Sequence, residues 1–397
     1  MQEVNQIRQY IVDYFSEGSK HTGDFKIGVE LEHFVVEEAS LKSVTYYSDD
    51  GVQQILSELL PFFPVSYYED DNILALANDD YSITLEPGSQ LEISINPKKH
   101  IKSIKRIYNE FTAQLKEQLK KRSCKLVSYG YLPKSSITDI KLLPKKRYRF
   151  MDNNFQKTGT MGRNMMRGTA SCQVSIDYFN EADFVRKVRC AYVLSPVISY
   201  MSSNSPVFEG KTNNNPLLRT LIWRNTDKSR TGIIPGLFDD NFGFEKYADY
   251  VLEAPAIFWN NNGKFCETDL KVIDVMQKSD NIAESSQLYL SLVFPDVRLK
   301  QYIEIRIADG MPIERSLGYA AFLKGLFLNP DETEALFDKE HFCEKSIILA
   351  QDSLMSNKNI VYGMHIEEIC KKLIKAAKNG LDENEIKYLK EFSGADE

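Results

Sequence analysis

The chain is poor in the residues that carry zinc and thiol chemistry. Its 397 residues include only five histidines and two tryptophans, and its six cysteines (Cys124, Cys172, Cys190, Cys266, Cys343, Cys370) are scattered without a Cys-x-x-Cys pair. That spacing argues against the usual zinc frameworks and suggests no disulfide scaffold, so reduced thiols are expected. Hydrophobic runs are short. None approaches the roughly 18 to 20 apolar residues of a bilayer span, and the opening MQEVNQIRQY lacks the basic-then-apolar pattern of a secretion signal. A soluble, cytoplasmic protein is expected. The common phosphate-binding and nucleophile signatures are missing too: no G-x-x-x-x-G-K-[ST], no G-x-G-x-x-G after a strand, no G-x-S-x-G. Any bound ATP must therefore have its phosphates held by metal ions and arginines. A net charge of −7 counts against a general nucleic-acid or anionic-membrane partner.

What the chain does have is carboxylate on strand faces. In Lys26–Phe34 the side chains of Glu30 and Glu32 point the same way, because strand side chains alternate with period two. Ser82–Glu86 turns at Pro87-Gly88-Ser89 and returns as Gln90–Ile95, bringing Glu86 and Glu92 into one hairpin. Ser171–Asp177 and Tyr302–Ile307 repeat the pattern with Gln173, Asp177, Glu304 and Arg306. A solvated face would mix Lys and Thr among the acids, since neighbouring like charges repel. Glu30, Glu32, Glu86, Glu92 and Glu304 have almost no lysine among them. Each strand alone reads as half-buried with a wet face; together they read as a site for hard divalent cations, magnesium or manganese. His33 falls in the apolar register of its strand and reads as a packed core residue.

A second constellation is basic. Arg147, Arg149, Arg163, Arg167, Arg219, Arg224, Lys228 and Arg230 fall in the middle third, most in segments that read as loops or strand starts. Guanidinium forks bind carboxylates and phosphates bidentately, although surface solvation explains many such arginines equally well. Arg306 shares a strand face with Glu304, well placed to stabilise charge on a transferring phosphoryl group.

Helical periodicity marks residues 4–16, Gln53–Leu60, 101–122 (Ile101, Ile104, Ile107, Tyr108, Phe111, Leu115 and Leu119 in one stripe), Ala182–Met201 and much of the chain beyond Arg315, with Gly380 as a C-terminal stop signal. Residues 133–170 read as a loop-rich basic segment. Strands and helices do not alternate regularly, so an α+β fold with an antiparallel sheet is expected.

These motifs resemble the plant-type, second family of glutamate–cysteine ligases. The resemblance rests on Ile27–Phe34, Leu85–Ser94, Arg147-Tyr148 with Met151, Met165–Thr169, Gln173–Asp177, Asn204-Ser205-Pro206, Trp223 with Thr226-Asp227, Arg230-Thr231-Gly232, Phe238-Asp239-Asp240, Phe242–Glu245 and Phe294–Arg298 running on to Glu304-Ile305-Arg306. It implies a glutamine-synthetase-like fold with a curved, mainly antiparallel sheet forming a cup flanked by helices. The catalytic ATP/glutamate ligase domain would span 1–330, and residues 331–397 would form a helical extension packed on it. It further implies ligation in two steps, with ATP phosphorylating the glutamate γ-carboxylate and an amine then displacing phosphate. The roles carried over are metal ligation by Glu30, Glu32, Glu86, Glu92 and Glu304; catalysis by Arg306, Glu304 and Arg167; substrate binding by Arg219, Arg147, Trp223 and Arg230; and nucleotide contact by Gln173 and Lys228. Expected partners are ATP, magnesium, glutamate and cysteine or another amine, in a monomer or homodimer, without nucleic acid or membrane. The stretch Glu284–Tyr289 lacks an Asp-Trp pair and a histidine common in relatives, Asn225 replaces an aspartate, and the cysteines of plant redox switches are unmatched. Acceptor identity therefore stays open, as do a non-catalytic nucleotide binder and a metal-dependent phosphohydrolase.

Overall fold

The carboxylate-bearing strand becomes the middle of a nine-stranded sheet in which every neighbouring pair is antiparallel. The computed structural model describes residues 2–261, 264–328 and 342–393. In chain order the strands are β1 (Ile27–Glu37), β2 (Val65–Glu69), β3 (Asn72–Ala77), β4 (Tyr81–Leu85), β5 (Leu91–Lys98), β6 (Cys124–Val127), β7 (Ser171–Ile176), β8 (Val297–Leu299) and β9 (Ile303–Asp309). Their order across the sheet is β8-β9-β7-β1-β5-β4-β3-β2, while β6 pairs with the far end of β1, from Phe34 to Glu37. Register irregularities where β1 meets β5, β2 meets β3 and β9 meets β7 mark bulges, which bend strands and help curve a sheet.

One face of this sheet packs on helices. His33 points that way, its imidazole between the Leu91 carbonyl at 3.3 Å and the Tyr108 hydroxyl at 2.9 Å. Tyr108 belongs to the helix Ile101–Lys121, whose buried stripe Ile101, Ile104, Ile107, Phe111, Leu115 and Leu119 is the one its spacing predicts. Helices Glu181–Met201 and Ile313–Leu328 are buried over most of their length and complete this layer. Among the described residues no helix is long and apolar enough to cross a membrane.

The basic segment departs from expectation. Residues 133–170 contain two helices, Lys146–Thr158 and Gly162–Gly168. Tyr148, Met151, Asp152 and Phe155 are buried on the first at helical spacing, a pattern masked in the sequence by the surrounding lysines and arginines. Arg147, Arg149, Arg163, Arg167, Arg219 and Arg224 accordingly sit on helices, not loops.

The boundary expected near residue 330 lies outside the described residues. Beyond it, helix Ile366–Asn379 crosses Ile313–Leu328 where Gly325 meets Gly380, so closely that a Cβ on either glycine would strike the other helix's backbone. Gly380 has φ −90°, so it is this approach, not a left-handed turn, that calls for glycine. Nearby, Glu385 accepts the Ile101 amide at 2.8 Å and pairs with the buried Lys324, which also donates to the Lys99 carbonyl at 2.7 Å. Breaking a buried pair strands a charge. Glu385→Ala is expected to lower unfolding free energy by about 3 kcal/mol in urea titration, and the double variant Lys324→Met/Glu385→Leu to recover most of it; equal losses in both would show that Lys324 needs no counter-charge.

Candidate active site

On the face opposite the helices the strand registers assemble a charged cup. Glu32 of β1 stands directly opposite Glu92 of β5, and Glu92 opposite Thr84 of β4. Glu30 lies between Gln173 of β7 and Ser94 of β5. Glu304 of β9 faces Ser175 on one side and Arg298 of β8 on the other. Glu86 sits on the turn between β4 and β5, which is closed by the Ser89 amide donating to the Glu86 carbonyl at 2.9 Å. All five glutamates line one cavity of about 260 Å3, together with Gln173, Arg147, Arg219, Trp223, Arg298, Lys300 and Arg306.

The five acids are not equivalent. Glu304 is fully buried, yet Arg298 at 2.7 Å, Lys300 at 3.2 Å and Arg306 at 2.9 Å surround it. Burial alone would raise its pKa, but the three cations hold it well below the ordinary carboxylate range. Glu32 accepts the Ser171 amide at 2.8 Å and hydroxyl at 2.7 Å, and the Gln173 amide at 3.1 Å. It is nevertheless raised, because burial outweighs Arg219 and these donors. Glu30 is pushed up to about 8 by burial and by the charges of Glu92 and Glu304. Glu92 also rises to about 8, through burial, Glu86 and Glu32, although the Thr84 and Ser94 hydroxyls donate to it at 2.8 Å. Glu86 is raised by burial and by Glu32.

Glu30, Glu32, Glu86 and Glu92 thus form an uncompensated anionic group, the electrostatic condition that a divalent cation relieves. Among the described residues, the only three ligating groups with donor atoms mutually within 4.8 Å are His100, Asp382 and Glu385, where Glu385 is already taken by Lys324. The cup is too open to enclose one ion in three carboxylates. It fits ions each held by one or two acids and completed by phosphate and water oxygens, which is how magnesium prefers to bind beside nucleotides. Glu304, expected among the ligands, would have to share its oxygens with three protein cations, and is the least suited of the five.

The opposite wall is basic and carries unused donors. Arg219 Nη1, Trp223 Nε1 and Arg147 Nε are buried without a hydrogen-bond partner. Such groups are costly unless something else fills them. Arg306 donates to Gln173 Oε1 at 2.6 Å, and Gln173 in turn donates to Glu32, so the third strand links the phosphoryl-side arginine to the acidic group.

Three expected site residues lie elsewhere. Arg167 pairs with Asp152 at 3.0 Å and does not line the cavity. Arg230 is buried against Asp227 at 2.8 Å and the carbonyls of Leu292 and Pro255, so its guanidinium is spent on holding the wall segment around Leu292. Lys228 is exposed and outside the cavity. Sequence reading also missed three cations. Arg298 and Lys300 share a face across a tight turn from Glu304 and Arg306, a period-two charge pattern that was legible in residues 298–306. Lys145, its pKa drawn down to about 8 by burial and Arg147, lies close enough to feel Glu86.

Comparison with known proteins fits this geometry. A model of glutamate–cysteine ligase family 2 matches residues 26–354. The chain is 32% identical over 409 residues to a chloroplastic glutamate–cysteine ligase of Arabidopsis thaliana, covering 98% of this chain and 76% of that protein. It is 31% identical over 399 residues to the chloroplastic glutamate–cysteine ligase B of Oryza sativa subsp. japonica, covering 97% of this chain and 80% of the relative. In three dimensions it resembles a crystal structure of glutamate–cysteine ligase from Francisella tularensis in complex with AMP, with a TM-score of 0.58 over 93% of this chain and 81% of the other. At 11% identity that likeness is one of fold, here α+β with a large antiparallel sheet. The continuous family match and these near-full-length relatives place the chain in glutamate–cysteine ligase family 2.

Proposed function

We propose that this cup makes γ-glutamylcysteine from glutamate and cysteine, with ATP converted to ADP and phosphate and magnesium as the divalent ion. The reading rests above all on one observation: four uncompensated glutamates face buried, unpartnered donors inside a single cavity. Magnesium held by Glu30, Glu32, Glu86 and Glu92 would supply positive charge to the ATP phosphates. Arg219 and Trp223 offer their free N–H groups to the substrate carboxylate, orienting glutamate so that its γ-carboxylate oxygen attacks the terminal phosphorus. Arg306, fixed by Glu304 and Gln173, stabilises charge on the migrating phosphoryl group. The acceptor amine then attacks the γ-carbonyl carbon of the acyl phosphate, the C–O bond to phosphate breaks, and the amide remains. No enzyme nucleophile is needed; positioning and fixed charge supply the acceleration.

The decisive assay is ADP release with magnesium and ATP, with and without glutamate, across a panel of amines. Turnover requiring both glutamate and cysteine is expected; preference for another amine would reassign the acceptor, and glutamate-independent release would mark a phosphohydrolase. Glu30→Ala and Glu304→Ala are each expected to cut kcat by on the order of 10³-fold. The first should also raise the magnesium concentration needed for half-maximal rate, whereas the second, acting through Arg306, should not. Near-normal rates would remove these residues from the chemistry.

The raised carboxylates give a pH signature. Glu30 and Glu92 retain protons in the folded protein up to about pH 8, whereas in the unfolded chain they lose them near the ordinary 4.5. Metal-free stability contributed by these groups is therefore full below pH 4.5 and declines as pH rises toward 8. A divalent ion must displace the same protons. The rise in Tm caused by magnesium should accordingly be much larger at pH 8 than at pH 6; equal shifts at both would mean the ion binds elsewhere.

A further inference from the structure

Beside the cup, and sharing Arg219, Trp223, Phe294 and Arg306 with it, lies a narrow pit of about 10 Å3, room for one water or one ammonium group, that also takes in Asp296. The main chain of Asp296 is pinned on both sides: its amide donates to the Gly232 carbonyl at 3.1 Å, and its carbonyl accepts the Arg306 amide at 3.0 Å. Its carboxylate, by contrast, takes no hydrogen bond and forms no ion pair with any described residue, although three arginines lie near enough to act on it. That makes it unlike every other acid around the site. Glu304 is tied by three cations, Asp309 accepts the Asn204 amide and the Ser205 hydroxyl, and Asp227 is paired with Arg230. Glu30, Glu32, Glu86 and Glu92 form the group suited to metal.

The proposed reaction needs a proton acceptor. An amino-acid amine is largely an ammonium near neutral pH and cannot attack carbon until it loses a proton. Among the described residues no histidine, the commonest general base, can serve. His33 is locked on the far face of the sheet, and His21, His100 and His365 are at the surface.

We infer that Asp296 is the general base that deprotonates the acceptor amine. The inference rests on the ligase reading above. The Asp296 carboxylate takes one proton from the ammonium; the freed lone pair attacks the γ-carbonyl carbon; the C–O bond breaks with its electron pair leaving on phosphate. The second amine proton leaves with that phosphate, and Asp296 returns its own to solvent. Burial lifts Asp296 to about 6 against the pull of Arg219, Arg224 and Arg306, so it is ionised at working pH yet close enough to it to accept a proton. The charged and titratable groups facing it are those three arginines and the phenols of Tyr192 and Tyr250, both held well above their ordinary range by burial and neighbouring charge, and so neutral.

Asp296→Asn separates this role from a structural one. With cysteine at pH 7.5, kcat is expected to fall by on the order of 10²- to 10³-fold, as for loss of a general base. With hydroxylamine, which is already unprotonated at that pH, formation of γ-glutamylhydroxamate should stay within about threefold of wild type, since no base is needed. KM for glutamate should not move, and Asp296→Glu should recover part of the cysteine rate. At saturating magnesium, which displaces the protons of Glu30 and Glu92, the acid limb of the wild-type kcat/KM profile for cysteine should vanish in Asp296→Asn. An equal loss with both acceptors, a raised glutamate KM, or an unchanged pH profile would overturn the assignment, making Asp296 a counter-charge or a ligand for the glutamate ammonium. If wild type makes no amide with any acceptor, it is the ligase reading that fails; where Asp296→Asn lowers the Tm well below that of wild type, it is replaced by Asp296→Ser, whose unchanged pH profile would equally sink the proposal.

Discussion

The site depends on a repulsion built into the sheet. Pairing β1 with β5 in the observed register sets Glu32 directly against Glu92, and the turn before β5 adds Glu86. Like charges opposed across neighbouring strands destabilise a sheet, and here they are also withdrawn from bulk water. The register cannot slip to relieve this. A shift of one residue would turn Val29, Leu31 and His33 into the cup and drive the glutamates into the helix layer. The apolar face therefore fixes the acidic face, and the core holds charges together that would otherwise separate. Burial first, and this repulsion second, push Glu30 and Glu92 up, so protons relieve the group in the bare protein; a divalent ion does the same while presenting positive charge to a phosphate chain.

Around that acidic group the cations divide into two kinds. Arg298, Lys300 and Arg306 are bound to Glu304, which fixes where a guanidinium meets the cavity at the end of the sheet bearing β8 and β9. Arg219 and Arg147 retain donors that no described residue uses, and Trp223 does the same with its indole. Fixed charge on one side and vacant donors on the other suit a reaction in which the protein contributes orientation and electrostatics and forms no covalent bond itself. Asp296 stands where the two kinds meet, in a pit bounded by Arg219 and Arg306. In the same region Arg230 works from behind, anchoring the carbonyls of Leu292 and Pro255 and so shaping the wall without reaching the substrate space.

Much of this was legible before any coordinates. Period-two spacing put Glu30 with Glu32 and Glu304 with Arg306 on common faces, and helical spacing drew the stripe from Ile101 to Leu119. These are local regularities, set by backbone geometry over a few residues. Failures came where the local signal was ambiguous or drowned. The helix Lys146–Thr158 was hidden by its own basic surface, and the arginines were grouped by closeness in sequence when their side chains diverge. Arg147 enters the cup, Arg167 turns to Asp152, and Arg224 pairs with Asp352.

By itself, then, the order of residues determined which side chains alternate, which strands carry acid, and that the chain must fold as an antiparallel α+β protein able to hold phosphates without a glycine loop. It could not determine which charges cancel. Whether a carboxylate is free or paired depends on neighbours brought in from distant strands, as Arg298 is to Glu304 and Gln173 is to Arg306, and on how much water their packing excludes. Coulomb energies depend on distance and on the local dielectric. Both are properties of the folded arrangement, and only that arrangement leaves four glutamates and Asp296 without an ion-pair partner among the described residues while satisfying the fifth glutamate three times over.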